Sequence, residues 1–303
     1  MSAPDRGRIA RNRAHRALRR DPSAATGPDR RRWHSERSPS TPWVERARLV
    51  TLSGYGANFA ERGTAYDDAM TSHPRARAEE FRFVVGLAGI RPSDRVVDIP
   101  SGGGYLAAYL PAGVEYTACE CSSSFAARGS ERGLTVVESD LRGTALGANR
   151  ADVVVSVAGL HHEEDPVGLL GAWRRLLRPG GRLVVADVAA GSSVASFLDG
   201  FVGKHNGIGH VGRYLPPDVD RRVRAMGYVD VRIVDGTYHW WFPDEEALGR
   251  FCVALFGLVS AAASDAIEAA RETLGFAVAS DGRLGLRWGL RAVVASVPEG
   301  RPG

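Results

Sequence analysis

Residues 95–110 read Arg95-Val-Val-Asp-Ile-Pro-Ser-Gly-Gly-Gly-Tyr-Leu-Ala-Ala-Tyr-Leu110, and this stretch decides the fold. A short apolar strand ends at the carboxylate of Asp98 and continues through a run of glycines into a helical stretch. Residues without a Cβ allow the backbone to approach a bulky ligand closely. The helix that follows would direct its free N–H groups at that ligand. The stretch therefore predicts a site for a ligand of nucleotide type at the end of a parallel strand.

Segments typical of strands and helices alternate on both sides of this stretch. The strands are expected at 94–100, 114–119, 134–138, 151–158 and 182–188, and the helices between and before them at 74–89, 103–110, 121–129 and 165–178. Strict alternation favours an α/β fold with a doubly wound, mostly parallel sheet. The run 151–158 is apolar without alternation, as expected for a strand that is covered on both faces, and it belongs at the sheet centre.

The alternation ends near residue 189, and helical insertions are expected there. Their elements are a helix at 216–226, a strand at 228–235, helices at 244–258 and 262–275, and a last strand within 284–296. We expect seven strands in all. The chain is expected to divide into five parts: a disordered Arg-rich tail (1–42), an N-terminal helical cap (43–90), a ligand-binding core (91–190), a helical lid with acceptor-binding insertions and strand 6 (191–282), and a last strand with a C-terminal tail (283–303).

Composition places the chain among ordinary globular proteins. It has 303 residues, of which 44% are hydrophobic and 24% charged, with no apolar run long enough to span a membrane and no opening signal peptide, so a cytoplasmic protein is expected. Residues 1–40 contain 11 arginines against four acidic residues. Because the whole chain carries +4, the remainder carries −3, and a nucleic-acid partner is not expected for the core. The only lysine, Lys204, is not part of a Gly-Lys-Ser/Thr phosphate-binding loop, which argues against an enzyme that binds nucleotide phosphates through such a loop.

Taken with its context, the glycine stretch resembles the first motif of the class I S-adenosylmethionine-dependent methyltransferases, which reads acid-x-Gly-x-Gly-x-Gly. The matching residues are Asp98, Gly102 and Gly104, and Pro100 stands where the family usually has its first glycine. Proline fixes φ and removes a donor, so it would stiffen the loop. The resemblance covers roughly residues 75–190 and implies a Rossmann-like methyltransferase fold.

The resemblance also implies which residues bind S-adenosyl-L-methionine. Asp98 would lie near the methionine end, Glu120 would accept the ribose hydroxyls, and Asp140 would meet the adenine amine. The other residues of this group are Tyr66, which would fold over the cofactor, Leu141, which would pack on the adenine ring, Pro100, Gly102 and Gly104 in the loop, and Ala158 after the fourth strand.

A dinucleotide site is the rival interpretation, because Gly102-Gly-Gly-Tyr-Leu-Ala107 also fits Gly-x-Gly-x-x-Ala and Glu120 follows at a suitable distance. Spacing alone does not separate the two. The carboxylate of Asp98 would crowd a pyrophosphate, and Asp140 has a role only in the methyltransferase interpretation.

The acceptor side of the site is predicted from histidines and aromatic residues. His162 and His210 are the candidate catalytic bases, and His161, Tyr214 and Trp241 are the candidate acceptor-binding residues. No metal site is expected, because the acidic run at 163–165 is better explained as the start of a helix.

The sequence therefore predicts a methyltransferase that acts on a small organic acceptor, with secondary metabolism as its setting and O-methylation favoured over N- or C-methylation. The alternatives are a cyclase or binding protein that uses S-adenosylmethionine without methylating, an NAD-dependent oxidoreductase, and an RNA methyltransferase guided by the arginine tail. A homodimer is compatible with the sequence, and no membrane partner is expected.

Overall fold

The computed structural model describes residues 54–300. The expected Arg-rich tail (1–42) and the first part of the expected N-terminal helical cap (43–90) lie outside the described residues. Among residues 54–300, no helix combines the length and the apolar character that crossing a membrane requires.

A single mixed sheet of eight strands organises the described chain. The strands are β1 (Arg95–Asp98), β2 (Glu115–Glu120), β3 (Thr135–Glu138), β4 (Ala151–Val157), β5 (Leu177–Asp187), β6 (Val229–Phe242), β7 (Phe276–Val278) and β8 (Leu284–Ser296). Their order is β3-β2-β1-β4-β5-β8-β6, and the short β7 pairs with β8. Strands β1 to β5 are parallel, whereas β8 runs antiparallel to both β5 and β6. The α/β fold class with a mostly parallel, doubly wound sheet is confirmed.

Helices cover both faces of this sheet. They are α1 (Tyr55–Ser72), α2 (Ala78–Ala88), α3 (Ser123–Glu131), α4 (Pro166–Trp173), α5 (Ser193–Phe197), α6 (Gly203–His205), α7 (Val219–Ala225), α8 (Glu245–Phe256) and α9 (Ala263–Thr273). A π-helical turn, Leu198–Val202, joins α5 to α6, and 3-10 turns follow β1 at Tyr105–Tyr109 and β4 at Leu160–His162.

Each strand and helix expected between residues 74 and 296 has a counterpart in the structure, most within a few residues. The insertions differ most: β6 continues to Phe242, seven residues beyond its expected end, and β7 is an additional short strand. The continuation of β6 follows from period-2 alternation, because Tyr238, Trp240 and Phe242 are buried while the residues between them are less so. Trp240 and Trp241 therefore belong to the sheet.

The central strand β4 is buried along nearly its whole length, as its apolar sequence predicted. Its carboxyl end lies next to those of β1 and β5, which are its partners in the sheet. Loops that follow these strands therefore meet at one edge, which is where ligands bind in open α/β sheets. The functional side chains described below lie there.

Candidate functional site

Asp98 ends β1 and is buried, with 2% of its surface exposed. Its Oδ2 accepts a hydrogen bond of 2.8 Å from the hydroxyl of Tyr116 on the neighbouring strand. Burial raises the pKa of Asp98 to about 7, the hydrogen bond from Tyr116 opposes that rise, and the charge of Glu120 adds to it. A cationic group next to Asp98 would therefore favour its ionised form.

The glycine loop takes a conformation that side chains would not permit. Gly104 has φ of 80°, and a Cβ there would lie 2.1 Å from Cδ1 of Leu134. Pro100 packs closely on Gly159, where a Cβ would lie 2.5 Å from Cγ of Pro100. The proline that departs from the family motif is thus accommodated by a glycine after β4, and the loop remains close to both strands.

Glu120 ends β2 and is fully buried. Its Oε1 accepts from the N–H groups of Cys121 and Ser122, at 2.9 and 2.8 Å, and its Oε2 accepts from the N–H of Gly102 at 2.7 Å. The hydroxyl of Tyr55 also donates to Oε2, at 3.2 Å. Burial raises the pKa of Glu120 to about 7, although these hydrogen bonds favour its ionised form.

Asp140 and Leu141 follow β3 and lie outside the groove that Asp98 lines. Leu141 is buried, and Asp140 is exposed, with Oδ1 accepting from the N–H of Thr144 at 3.0 Å. Both residues line a cleft that also includes Cys121 and the first turn of α1. The structure therefore brings Asp98, Glu120 and Asp140 to one edge of the sheet, in the order along it that the motifs predicted.

Helix α1 lies across this groove. Its Asp67 accepts from the hydroxyl of Tyr105 and from Arg132, both at 2.7 Å, and Arg132 also donates to the carbonyl of Gly103. This arrangement attaches the helix to the glycine loop. Tyr66, which sequence comparison placed over the cofactor, does line the groove.

Three histidines meet beside the groove, although their elements are separate in sequence. His161 and His162 lie in the 3-10 turn after β4, and His210 comes from the insertion. One ring nitrogen of each lies within 4.8 Å of those of the other two. Burial and the two neighbouring histidines lower the pKa of His162 well below its usual value, and burial lowers that of His210 to about 4. Both rings are therefore neutral at neutral pH. The sequence analysis expected no metal site, and it did not foresee this cluster.

Each histidine is oriented by a polar neighbour. His161 Nδ1 lies 2.6 Å from Oδ1 of Asp187, a buried carboxylate that also accepts from the N–H of Leu160 at 2.7 Å. His162 Nδ1 lies 3.0 Å from the amide of Asn58, and His210 Nδ1 lies 3.1 Å from Oδ1 of Asp199.

A mostly apolar pocket opens in front of the cluster. Apart from the three histidines, it is lined by aromatic and aliphatic side chains and by two arginines: Phe59, Tyr66, Ala158, Val188, Leu198, Val202, Trp240, Leu255, Phe256, Trp288, Leu290, Arg62 and Arg77. Arg77 is paired with the buried Glu80. Arg62 donates to the carbonyl of Leu255 at 2.8 Å, but its buried Nε has no hydrogen-bond partner among residues 54–300.

Two residues expected at the acceptor side differ in their placement. Tyr214 lies near the cluster, with its ring centre 6.1 Å from that of His161 and its hydroxyl donating to Asp199. Trp241 does not reach the pocket: its indole N–H donates to Glu79, and Trp240 lines the pocket instead. Trp240 and not Trp241 faces the pocket because successive residues of a strand face opposite sides, and the sequence did not fix which of the two faced inward.

Sequence reasoning missed several residues of the site. Asp187 ends β5, so its position beside the end of β4 follows from the parallel order of the strands and was accessible to sequence reasoning. Tyr55, Asn58 and Arg62 lie on one side of α1, for which the sequence analysis gave only a helical cap at 43–90 without the bounds of this helix. Asp199 offered no signal, because it lies in an irregular π-helical turn.

The groove fits S-adenosylmethionine better than a dinucleotide. Its wall includes the buried carboxylate of Asp98, and the buried carboxylate of Glu120 accepts from the N–H of Gly102 in the glycine loop, where a pyrophosphate would require free donors. Arg132, the arginine nearest the glycines, is already paired with Asp67.

Comparison with known proteins agrees with this assignment. Residues 97–185 match the family model described as "Methyltransferase domain". The chain is 34% identical over 109 residues to the demethylmenaquinone methyltransferase of Beutenbergia cavernae. The aligned residues make up 35% of this chain and 45% of that protein. The chain is also 34% identical over 112 residues to the trans-aconitate 2-methyltransferase of Mycobacterium tuberculosis, with 36% and 42% covered. The match thus spans less than half the length of these relatives.

Solved structures show the same fold. An S-adenosylmethionine-dependent methyltransferase of Thermotoga maritima superposes with a TM-score of 0.53 at 15% identity and covers 80% of this chain and 99% of its own. Phosphoethanolamine N-methyltransferase 2 of Haemonchus contortus, in complex with S-adenosyl-L-methionine, gives a TM-score of 0.54 at 14% identity, with 81% and 60% covered. Motifs, topology and comparisons agree: residues 97–185 match a methyltransferase domain, and the described chain has the fold of S-adenosylmethionine-dependent methyltransferases.

Proposed function

We propose that this protein transfers the methyl group of S-adenosyl-L-methionine to an oxygen of a small, largely apolar acceptor that is bound in the histidine-lined pocket. One observation carries this proposal. Ala158, Phe59, Tyr66 and Arg77 line both the cofactor groove and the histidine-lined pocket, so the two cavities adjoin at the end of β4. The methyl donor and the acceptor can therefore meet where protein side chains replace part of the surrounding water.

The chemistry of the pocket supports an oxygen acceptor with acidic character. Its walls are mostly aromatic and aliphatic, which suits an apolar ring or chain. Arg62 has a buried N–H group available, and the indole N–H of Trp288 is another buried donor without a partner among residues 54–300. Donors of this kind match a carboxylate, phenolate or enolate oxygen.

In the transfer, the bond between the sulfonium sulfur and the methyl carbon breaks as the bond between that carbon and the acceptor oxygen forms. The electron pair of the first bond remains on sulfur, which gives neutral S-adenosylhomocysteine. A hydroxyl acceptor also loses its proton. His162 and His210, proposed as bases, lie beside the adjoining wall together with His161, so the cluster is placed to receive that proton or to stabilise the oxyanion.

The test is a product assay with the full-length protein, S-adenosylmethionine and a panel of phenolic, enolic and carboxylic acceptors. We expect S-adenosylhomocysteine and an acceptor that has gained one methyl group on oxygen. Rearranged products without a methyl group would support the non-methylating alternative and contradict the proposal.

Cofactor binding is tested separately by calorimetry. Glu120→Ala should weaken S-adenosylmethionine binding by about tenfold or more, because a hydrogen bond to a charged group contributes about 1.5–3 kcal/mol. Glu115→Gln is the matched control, since Glu115 is exposed at the opposite end of the same strand. Equal affinity in both variants, or tight NADH binding instead, would contradict the assignment of the groove.

A further inference from the structure

The three histidines lie close to the mutual spacing of metal ligands. Imidazoles that bind one ion through Nε2 at about 2.0–2.1 Å have ring centres roughly 4.5–5.2 Å apart, for bond angles between about 90° and 109°. In this structure the ring centres of His161 and His162 lie 4.2 Å apart, those of His161 and His210 lie 5.5 Å apart, and those of His162 and His210 lie 5.4 Å apart. One of these separations lies just below that range and two lie just above it, and one ring nitrogen of each histidine lies within 4.8 Å of those of the other two.

The hydrogen bonds behind the histidines leave one nitrogen of each ring available. Nδ1 of His161 is held by Asp187, and Nδ1 of His210 by Asp199. Nδ1 of His162 faces the side-chain amide of Asn58, whose oxygen and nitrogen exchange places by a simple flip, so that the oxygen can accept from Nδ1–H. In this state every Nδ1 carries a proton and every Nε2 has a free lone pair. Carboxylates and amides in this position are characteristic of metal-bound histidines.

We propose that His161, His162 and His210 bind a divalent transition metal ion through Nε2, in the acceptor pocket and beside the cofactor groove. Imidazole ligands suit Zn²⁺, Fe²⁺, Co²⁺ and Ni²⁺. Three protein ligands leave one or more positions open, which is the pattern of a catalytic rather than a structural ion.

The charges around the cluster define the remaining ligand. The histidines contribute no charge when they bind as neutral rings, Asp187 and Asp199 lie behind two of them, and Arg62 faces the same pocket. An ion and an arginine on one side of an apolar pocket favour an anionic oxygen in the open position. The proposed role of the ion, which rests on the proposed function, is to bind the acceptor oxygen and favour loss of its proton to a water molecule; His162 and His210 then act as ligands in place of bases, and the ion keeps its oxidation state.

Metal binding is tested with the metal alone. Full-length protein without a polyhistidine tag is dialysed against a chelator and titrated with Co²⁺, and the visible absorption bands of the ion are followed. We expect saturation at one ion per chain and displacement by Zn²⁺. His162→Ala and His210→Ala should each weaken binding by at least about a hundredfold, and Asp199→Asn by about 10–100-fold.

His205→Ala is the matched control, because His205 lies in the same insertion but bonds to Ser260 outside the cluster. It should bind Co²⁺ as tightly as the unaltered protein, and circular dichroism checks that all variants are folded. The absence of saturable binding in the unaltered protein overturns the proposal, and so does undiminished binding in both cluster variants.

Measuring S-adenosylmethionine affinity on the same samples separates the two proposals. Cofactor binding without Co²⁺ binding overturns the metal site alone. Co²⁺ binding without cofactor binding overturns the proposed function and leaves the metal site standing. Methylation that survives complete removal of the ion would refute its proposed role in activating the acceptor.

Discussion

The ionisation of a single residue, Asp98, should make the affinity for the cofactor depend on pH. Its pKa is raised to about 7 mainly by burial, so that close to neutral pH a large fraction of the free protein carries it protonated. An ammonium group beside it would favour the ionised form. Binding of S-adenosylmethionine should therefore release a proton near pH 7, and its affinity should rise from about pH 6 to about pH 8, by at most about tenfold per pH unit for this one group.

Calorimetry in buffers of different ionisation enthalpy measures both the affinity and the proton release. Glu120 also has a pKa raised to about 7, so a reference ligand is needed. 5′-Methylthioadenosine serves, because it has the nucleoside but lacks the amino acid. With the unaltered protein, the affinities of the two ligands should depend differently on pH. With the Asp98→Asn variant, the two affinities should show the same pH dependence. A difference that persists in Asp98→Asn would show that Asp98 does not meet the ammonium group.

At the scale of an element, the start of α1 competes with the cofactor. Each oxygen of Glu120 already accepts two hydrogen bonds, and one of the four comes from the hydroxyl of Tyr55 on α1. A ribose that binds Glu120 must displace that hydroxyl, since a carboxylate oxygen has two lone pairs. The first turn of α1 is also held by Glu163, whose Oε1 accepts from the N–H of Tyr55 at 2.7 Å.

Tyr55→Phe should therefore bind S-adenosylmethionine more tightly, by about 3–10-fold, because a hydrogen bond of this kind contributes roughly 1 kcal/mol net. Tyr109→Phe is the control: its hydroxyl donates to the carbonyl of Pro74, outside the groove, and its loss should leave the affinity unchanged. Affinity that falls in Tyr55→Phe would mean that the hydroxyl stays in the complex and binds the cofactor itself.

An element could be predicted from the sequence where a single physical requirement determined its residues. The central strand β4 was recognisable because both of its faces are buried, and the glycine loop because positive φ and close approach require glycine. The second half of β6 was missed because its aromatic residues also suit the core of inserted helices.

The histidine cluster could not be derived from the sequence, because it depends on tertiary placement. His161 and His162 follow β4, whereas His210 and Asp199 belong to an irregular insertion whose path no periodicity reveals. Residues that lie at strand ends of a parallel sheet, such as Asp98, Glu120 and Asp187, could be placed together, since the topology itself brings them to one edge.

At the scale of the whole molecule, a buried ion pair joins the N-terminal helices to the C-terminal part of the sheet. Glu80 on α2 is fully buried and pairs with Arg77, which is 4% exposed. Oε2 of Glu80 also accepts from the indole N–H of Trp240 on β6, at 2.7 Å, and Arg77 donates to the hydroxyl of Tyr66 on α1. One ion pair thus joins the neighbouring helices α1 and α2 to the distant strand β6.

Glu80→Gln should lower the free energy of unfolding by about 3–5 kcal/mol, because it leaves the charge of Arg77 buried without its counterion. Urea denaturation followed by circular dichroism measures this change. Glu246→Gln is the matched control: Glu246 pairs with Arg250 on the surface, with 79% of its side chain exposed, and exposed pairs contribute at most about 1 kcal/mol. A loss below about 1 kcal/mol in Glu80→Gln would contradict the structure here, since it would require water or another acid to reach Arg77.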